Sequence, residues 1–393
     1  MRAWDALVAR LARVTSSGRT IEEIDGLRFV AISFVFMQHF QQALVSTAPH
    51  GPQPMPLWVL ENAHFGVELF FVLSGFVLGL PFVRAHVQRE PQVNSRGYFL
   101  GRETGKYFPG RETGKYFLRR LTRLEPPYIL SLVLVGAYRI LHPLVPVAPT
   151  KVLEHAVASL FYVHNWTHGP WHPRAVNTVT WSLEIEVQFY LLAPCLALVF
   201  RLPPWTRRAV IVGVSALASW AAAKLHWPLS FLLFLPYFGM GFILADLHLA
   251  RWLEPSATQR LDGHVWDSVA LLAAFLALMF SCTRGIPTDH TVLALLLFLV
   301  VFTSMRSRYV RAFLKSSPIR TIGGMCYSIY LLHWVLIWAL WRWLAITPSA
   351  SSAWQTLGMG TLLFIALLPV FALYFVLVEK PCMQPDWWRI RLV

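Results

Sequence analysis

The chain has 393 residues, 56% of them hydrophobic and only 14% charged, with a formal net charge of +14. A soluble protein of this length carries charge on about a quarter of its residues, so a soluble globular enzyme is excluded and an all-α, polytopic membrane bundle is indicated. The basic residues sit in short loops between apolar runs, a placement that speaks for membrane orientation and against nucleic acid as a partner.

Residues 1–23 read as an amphipathic cytoplasmic leader. Trp4, Leu7, Val8, Leu11 and Val14 recur at helical spacing with Arg2, Arg10 and Arg13 among them, the pattern of a helix lying on a membrane surface. No small-residue cleavage site follows the first apolar run, so no cleavable signal is expected. Thr20 and Glu23 have capping-box spacing and are expected to open the first span. Ten spans are predicted, near 27–47, 63–83, 126–146, 181–200, 209–225, 229–249, 267–282, 289–304, 322–345 and 356–378. Of the 34 lysines and arginines, 27 fall in 1–20, 84–123, 201–208, 251–260, 306–320 and 380–391, which predicts that both termini are cytoplasmic.

Span one carries Arg28 near its start and His39 deep inside. Eleven residues are about three helical turns plus 20°, so both side chains lie on one face, roughly 16 Å apart. Ionisable groups in a span are costly and usually face a polar cavity. Span two holds Glu68 four residues after His64 on the same face, and Ser74-Gly75 permits a close helix approach. The cytoplasmic loop 84–125 contains a tandem duplication, with Gly101-Arg102-Glu103-Thr104-Gly105-Lys106 repeated at 110–115. Two such units make no solenoid, and no chemistry is assigned to them. The loop ends with Arg119, Arg120 and Arg123, of which the last two lie one turn apart and suit a phosphate.

The outer segment 147–180 holds His155, His164, Trp166, His168, Trp171 and His172. His164, His168 and His172 would form a metal face on a continuous helix, but Gly169, Pro170 and Pro173 interrupt one, so no metal site is expected. Cys195, Cys282, Cys326 and Cys382 are too scattered for a disulfide framework or zinc site. Span four opens on Trp181-Ser182-Leu183-Glu184-Ile185-Glu186, continuing to Gln188 and Tyr190. The two glutamates are about 200° apart on a helix, so one cavity receives only one of them. Span nine carries Tyr327, Ser328, Tyr330 and His333.

Jointly these motifs resemble the integral-membrane acyltransferase 3 family, which includes bacterial O-acetylases of lipopolysaccharide and peptidoglycan. The likeness runs from Ile24 to Pro381. It rests on the Arg28–His39 run, Gly66-Val67-Glu68-Leu69-Phe70-Phe71-Val72-Leu73-Ser74-Gly75-Phe76, Arg120-Leu121-Thr122-Arg123 and Trp181-Ser182-Leu183 with Glu186, Phe189 and Tyr190. Tyr327-Ser328-Ile329-Tyr330-Leu331-Leu332-His333 and Glu379-Lys380-Pro381 complete it. Glu68 and Val187 depart from the family's usual residues. The resemblance implies a membrane acyltransferase domain at 24–381, a cytoplasmic tail at 382–393 and a place in the inner (cytoplasmic) membrane. It implies transfer of an acyl group, usually acetyl, from acyl-CoA as co-substrate to a hydroxyl of a carbohydrate or glycoside, with no bound cofactor. Within it His39 is expected as general base and Glu186 as the carboxylate that orients it. Arg28, Arg120 and Arg123 are expected to hold the donor, and Glu68, Trp181, Ser182, Tyr190 and His333 to support the acceptor side. Some relatives append a hydrolase-like domain; this chain shows none after span ten, so it is expected to act alone or with a partner. A transporter of a small solute or lipid also buries Arg, His and Glu along one path, but no inverted repeat is visible; a scaffold or receptor would not need the stripe.

Overall fold

Apolar runs of eighteen residues or more become helices, because inside a bilayer the backbone must satisfy its own hydrogen bonds. The computed structural model describes residues 8–14, 20–47, 60, 64–87, 110–141, 148–169, 176–227, 230–253, 262–282, 289–343, 353–384 and 387, and these contain helices and turns but no strand. The long helices are α1 (Glu22–Thr47), α2 (Phe65–Val87) and α3 (Gly110–Leu141). On the segment that follows lie two shorter ones, α4 (Pro149–Leu160) and α5 (His164–Thr167). Next come α6 (Trp181–Leu196), α7 (Pro204–Lys224), α8 (Phe231–Leu249), α9 (Asp262–Cys282) and α10 (Asp289–Arg306). The chain continues through α11 (Tyr309–Leu314), α12 (Ser317–Gly324), α13 (Cys326–Trp343) and α14 (Ala353–Tyr374). Seven segments among the described residues are long and apolar enough to cross a membrane, or eight if the bent pair α12–α13 is one span. Helices α1 and α7, of 26 and 21 residues, are long enough but are not among the seven.

The centre of the bundle is α2 against α8. Their apolar windows are 78% and 83% buried, against 33% for α3 and 28% for α9. Ser74-Gly75 permits this contact, as expected: a Cβ at Gly75 would meet the Phe238 backbone, and one at Gly241 the backbone of Val72. Phe71, Phe189 and Phe238 fill the space around the crossing, with Phe189 stacked on Phe238 at 4.1 Å between ring centroids.

Three expectations are revised. Span three was expected to begin at 126; its helix begins at Gly110 and runs through Pro126 and Pro127. Proline leaves the carbonyl four residues earlier without its amide partner, and for Pro126 that carbonyl, Thr122 O, accepts instead from Trp387 Nε1 at 3.0 Å. Arg119, Arg120 and Arg123 therefore sit on a helix, not a loop. Span nine is not continuous: α12 and α13 are bent by 71° around Met325. The helix α1 opens at Glu22, and Glu23 accepts a hydrogen bond from Arg311 Nε at 2.7 Å where a capping box was expected. Trp4, Leu7 and Arg2 of the leader, residues 98–109 of the duplication, and Trp171 and His172 lie outside the described residues.

Candidate functional site

A cavity opens between α1, α2, α3, α6 and α13. Four guanidiniums line it, those of Arg13, Arg28, Arg120 and Arg123, with the carboxylates of Glu186 and Glu379. Phe70, Phe71, Val77, Leu78 and Leu183 supply its apolar wall.

Three of the four arginines are held by something specific. Arg28 Nη1 donates to Asp25 Oδ1 at 2.6 Å, and Arg13 Nη1 reaches the same oxygen at 3.1 Å, so Asp25 fixes two cations from separate segments. The Arg120 guanidinium lies 5.0 Å over the Tyr190 ring, a cation–π contact that orients its plane. Arg123 completes the arc one turn along α3.

On α6 the two glutamates diverge as the helical angle requires. Glu186 turns into the cavity, where its Oε1 accepts from Ser74 Oγ at 2.5 Å and from the Tyr190 hydroxyl. Glu184 turns away and accepts the Asn165 backbone amide at 2.9 Å. Ser182 Oγ is 2.9 Å from the Tyr330 hydroxyl, and that hydroxyl donates to Val179 O at 2.6 Å. Tyr330 has one proton and gives it to the carbonyl, so Ser182 is the donor of the pair.

His39 stands outside the lining of the cavity, half-buried on α1. Its ring partner is His333: His333 Nε2 lies 3.1 Å from His39 Nδ1, and the rings are 5.0 Å apart. The expected contact between His39 and Glu186 is replaced by this one, because Glu186 is spent on Ser74 and Tyr190. The proton positions follow from the carbonyls. His333 Nδ1 lies 3.0 Å from Ile329 O and 2.9 Å from Tyr330 O, and since both are acceptors, Nδ1 carries the hydrogen and Nε2 the lone pair. His39 Nδ1 then faces two acceptors, that lone pair and Val35 O at 2.9 Å, so it also carries its hydrogen. The lone pair of His39 is left on Nε2, the form a general base needs. Tyr330 lines the cavity and is one turn from His333 on α13, which joins the two regions through a single helix.

The remaining expected residues are placed further out. Glu68 is buried and its Oε1 is 3.1 Å from His64 Nδ1, so the predicted i, i+4 pair forms. Trp181 packs its ring 5.7 Å from Phe234, and its carbonyl accepts from Asn165 Nδ2 at 2.8 Å. Neither lines the cavity. Four residues that shape the site were not among the expected catalytic, donor or supporting residues: Asp25, Ser74, Tyr330 and Glu379. Glu379 is buried at the end of a π-helical turn, Phe375–Glu379, and its Oε2 accepts from both the amide (3.0 Å) and hydroxyl (2.5 Å) of Ser328. A carboxylate closing an apolar run was the signal for it.

Away from the cavity, His155, His164 and His168 form the one cluster among the described residues with metal-ligand character. Beside them, hydrogen bonds from Lys151 and then His168 hold the exposed Glu154 carboxyl down to about 2.

A family profile described as an acyltransferase domain matches residues 21–378. The chain is 23% identical over 396 residues to the acyltransferase MdmB of Streptomyces mycarofaciens, an alignment covering 93% of this chain and 92% of that protein. It is 23% identical over 409 residues to the peptidoglycan O-acetyltransferase OatA of Listeria monocytogenes, covering 93% of this chain and 56% of the relative. To the O-acetyltransferase OatA of Staphylococcus aureus it is 22% identical over 352 residues, covering 82% and 51%. The chain thus spans nearly all of the first relative but about half the length of the other two. No solved structure matches.

Proposed function

The chain belongs to the acyltransferase 3 family, multi-pass membrane enzymes that transfer acyl groups, and on that premise we propose that it moves an acyl group, acetyl first, from acyl-CoA to a hydroxyl of a sugar-like acceptor such as a cell-envelope glycan. The observation that carries the donor assignment is the cavity with four arginines on an otherwise apolar bundle. Coenzyme A brings a pyrophosphate and a further phosphate, and guanidiniums bind phosphate oxygens in pairs. The apolar wall of Phe70, Phe71 and Leu183 suits the pantetheine arm.

In the proposed reaction the acceptor hydroxyl approaches His39 and gives its proton to Nε2 as its oxygen bonds to the thioester carbonyl carbon. The tetrahedral intermediate collapses with breakage of the carbon–sulfur bond. The coenzyme A thiolate leaves and takes up the proton, returning His39 to its starting tautomer. His333 keeps Nδ1–H of His39 directed away from the acceptor. Glu186, with Ser74 and Tyr190, orders the polar wall of the donor cavity. The basic leader and loops suit a cytoplasmic face for that cavity, in the inner membrane of a bacterial envelope, with the acceptor on the opposite side.

The test is turnover of acetyl-CoA by the purified chain in detergent with a glycan acceptor, followed by release of free thiol and by acceptor mass. Wild type should acetylate the acceptor, and His39→Ala should lose about 10²–10⁴-fold in turnover with its thermal unfolding unchanged. Arg120→Ala should chiefly raise the apparent KM for acetyl-CoA. Full activity in His39→Ala removes the base assignment; absence of thiol release alongside solute flux in vesicles favours transport.

A further inference from the structure

The sequence spacing speaks against a histidine face at 164, 168 and 172, yet the structure brings His155 to His164 and His168 from the preceding helix. His155 projects from α4 toward α5, and one ring nitrogen from each of His155, His164 and His168 lies within 4.8 Å of the others. His155 and His164 are 1% and 4% exposed. The rings crowd together, His155 and His168 at 4.2 Å and His164 and His168 at 5.0 Å between centroids. Three imidazoles so close on a segment of only fourteen residues are not a packing solution that apolar burial demands.

We propose that His155, His164 and His168 bind one divalent transition-metal cation of the zinc class, with the fourth position left to water or another oxygen ligand. Imidazole is a ligand of choice for zinc, and three histidines with an open position is a recurrent arrangement. The approach of the rings fits the requirement. His155 Nδ1 and His164 Nε2 stand 2.8 Å apart around a single shared hydrogen, whereas two nitrogens on a tetrahedral zinc are about 3.4 Å apart. Binding therefore opens this pair by about half an ångström. The ring that carried the shared proton moves it to its other nitrogen, so both ligands face the metal as neutral lone pairs and no charge is lost.

His168 supplies the second observation. Its Nε2 is 3.1 Å from Glu154 Oε1 and its Nδ1 is 2.7 Å from Thr167 Oγ1. With Nε2–H donated to the carboxylate, Nδ1 is the ligand atom once Thr167 turns away from it and gives its hydroxyl hydrogen to Val163 O, 3.0 Å from Oγ1, and Glu154 takes the orienting place that a carboxylate commonly holds behind a metal-bound histidine. Lys151 Nζ, 2.5 Å from Glu154 Oε2, holds that carboxylate in turn. The clasp would bind α4 to α5. Between its ligands Asn165 donates to Glu184 and to the Trp181 carbonyl, so the metal would fix the outer segment over the first turn of α6, which carries Ser182.

The experiment uses the full chain in detergent, freed of any polyhistidine tag. Metal content after equilibration with zinc and removal of free ion should be one equivalent per chain, and cobalt(II) should give the visible d–d absorption of a low-coordinate site. Zinc should raise the unfolding temperature and a chelator should reverse the rise. His155→Ala and His164→Ala should lose the bound equivalent and the cobalt spectrum. Glu154→Gln, an exposed change that leaves the core intact, should weaken zinc binding about 10–100-fold while the protein still folds. Wild type binding less than a tenth of an equivalent overturns the proposal, as does an affinity equal in wild type, His155→Ala and Glu154→Gln.

Discussion

Val35 O and His333 together set which nitrogen of His39 carries the hydrogen. A single imidazole in a half-buried place is free to hold its hydrogen on either nitrogen; here two carbonyls fix His333, and His333 with Val35 O fixes His39. Replacing His333 by Ala should lower kcat by about tenfold or more and leave the KM for acyl-CoA near its starting value, because the arginine-lined cavity is not touched. His333→Gln, whose side-chain oxygen accepts from His39 Nδ1–H, should recover part of the loss, a rescue that lost packing alone would not give. Charged residues inside apolar runs were readable from the sequence, which is why Arg28, His39 and Glu186 stood out there. What they bond to was not, because Ser74 is 112 residues from Glu186 and His333 is 294 from His39. Asp25 was hidden for another reason: three residues before Arg28, it looks like an ordinary acidic first turn. The approach of His155 to His164 and His168 was hidden because a single-helix spacing rule cannot see a partner on the next helix.

The apolar runs predicted helices at nearly every predicted span, since length and hydropathy alone decide that in a bilayer. Two boundaries escaped, since span three was started at Pro126 and span nine was run straight through Gly323-Gly324. On α3 the proline pair is internal, and the cost is met by a side chain from the far end of the chain. Trp387→Phe keeps the ring and removes the donor to Thr122 O; it should destabilise by about 1 kcal/mol, seen as a lower unfolding temperature. At the α12–α13 bend the signal was Gly323-Gly324, residues that favour a helix end. Gly323 sits directly on α1, where a Cβ would overlap the Asp25 carbonyl oxygen. Gly323→Ala must push the two helices apart and should cost about 1–3 kcal/mol. Asp25 holds Arg28, so the same change should also raise the KM for acyl-CoA; an unaltered KM in a stable variant would detach this contact from donor binding.

Two sets of ion pairs tie elements of the molecule together. Glu22, Glu23 and Asp25 at the mouth of α1 gather Arg13, Arg28, Arg311, Lys315 and Arg320, tying the leader, α1, α11 and α12 together. Arg207 and Arg208 do the same for α7 and α8 through Asp246. After these pairings the arginine-lined cavity still presents more cationic than anionic groups. Raising ionic strength from about 0.05 to 0.5 M should therefore raise the KM for acyl-CoA several-fold, and a phosphate-free pantetheine thioester should show little change. The basic charge was visible as a pattern of basic loops; its concentration around one cavity needed the fold. Finally, the first turn of α13, just past the kink, depends on the very last apolar stretch. Its Ser328 amide is capped by Glu379, which the π turn after α14 delivers. During synthesis that amide waits until residue 379 has left the ribosome and been inserted, so the kink matures only once the whole domain is threaded. A chain cut after Tyr374 should insert its earlier helices and yet leave this corner open to protease.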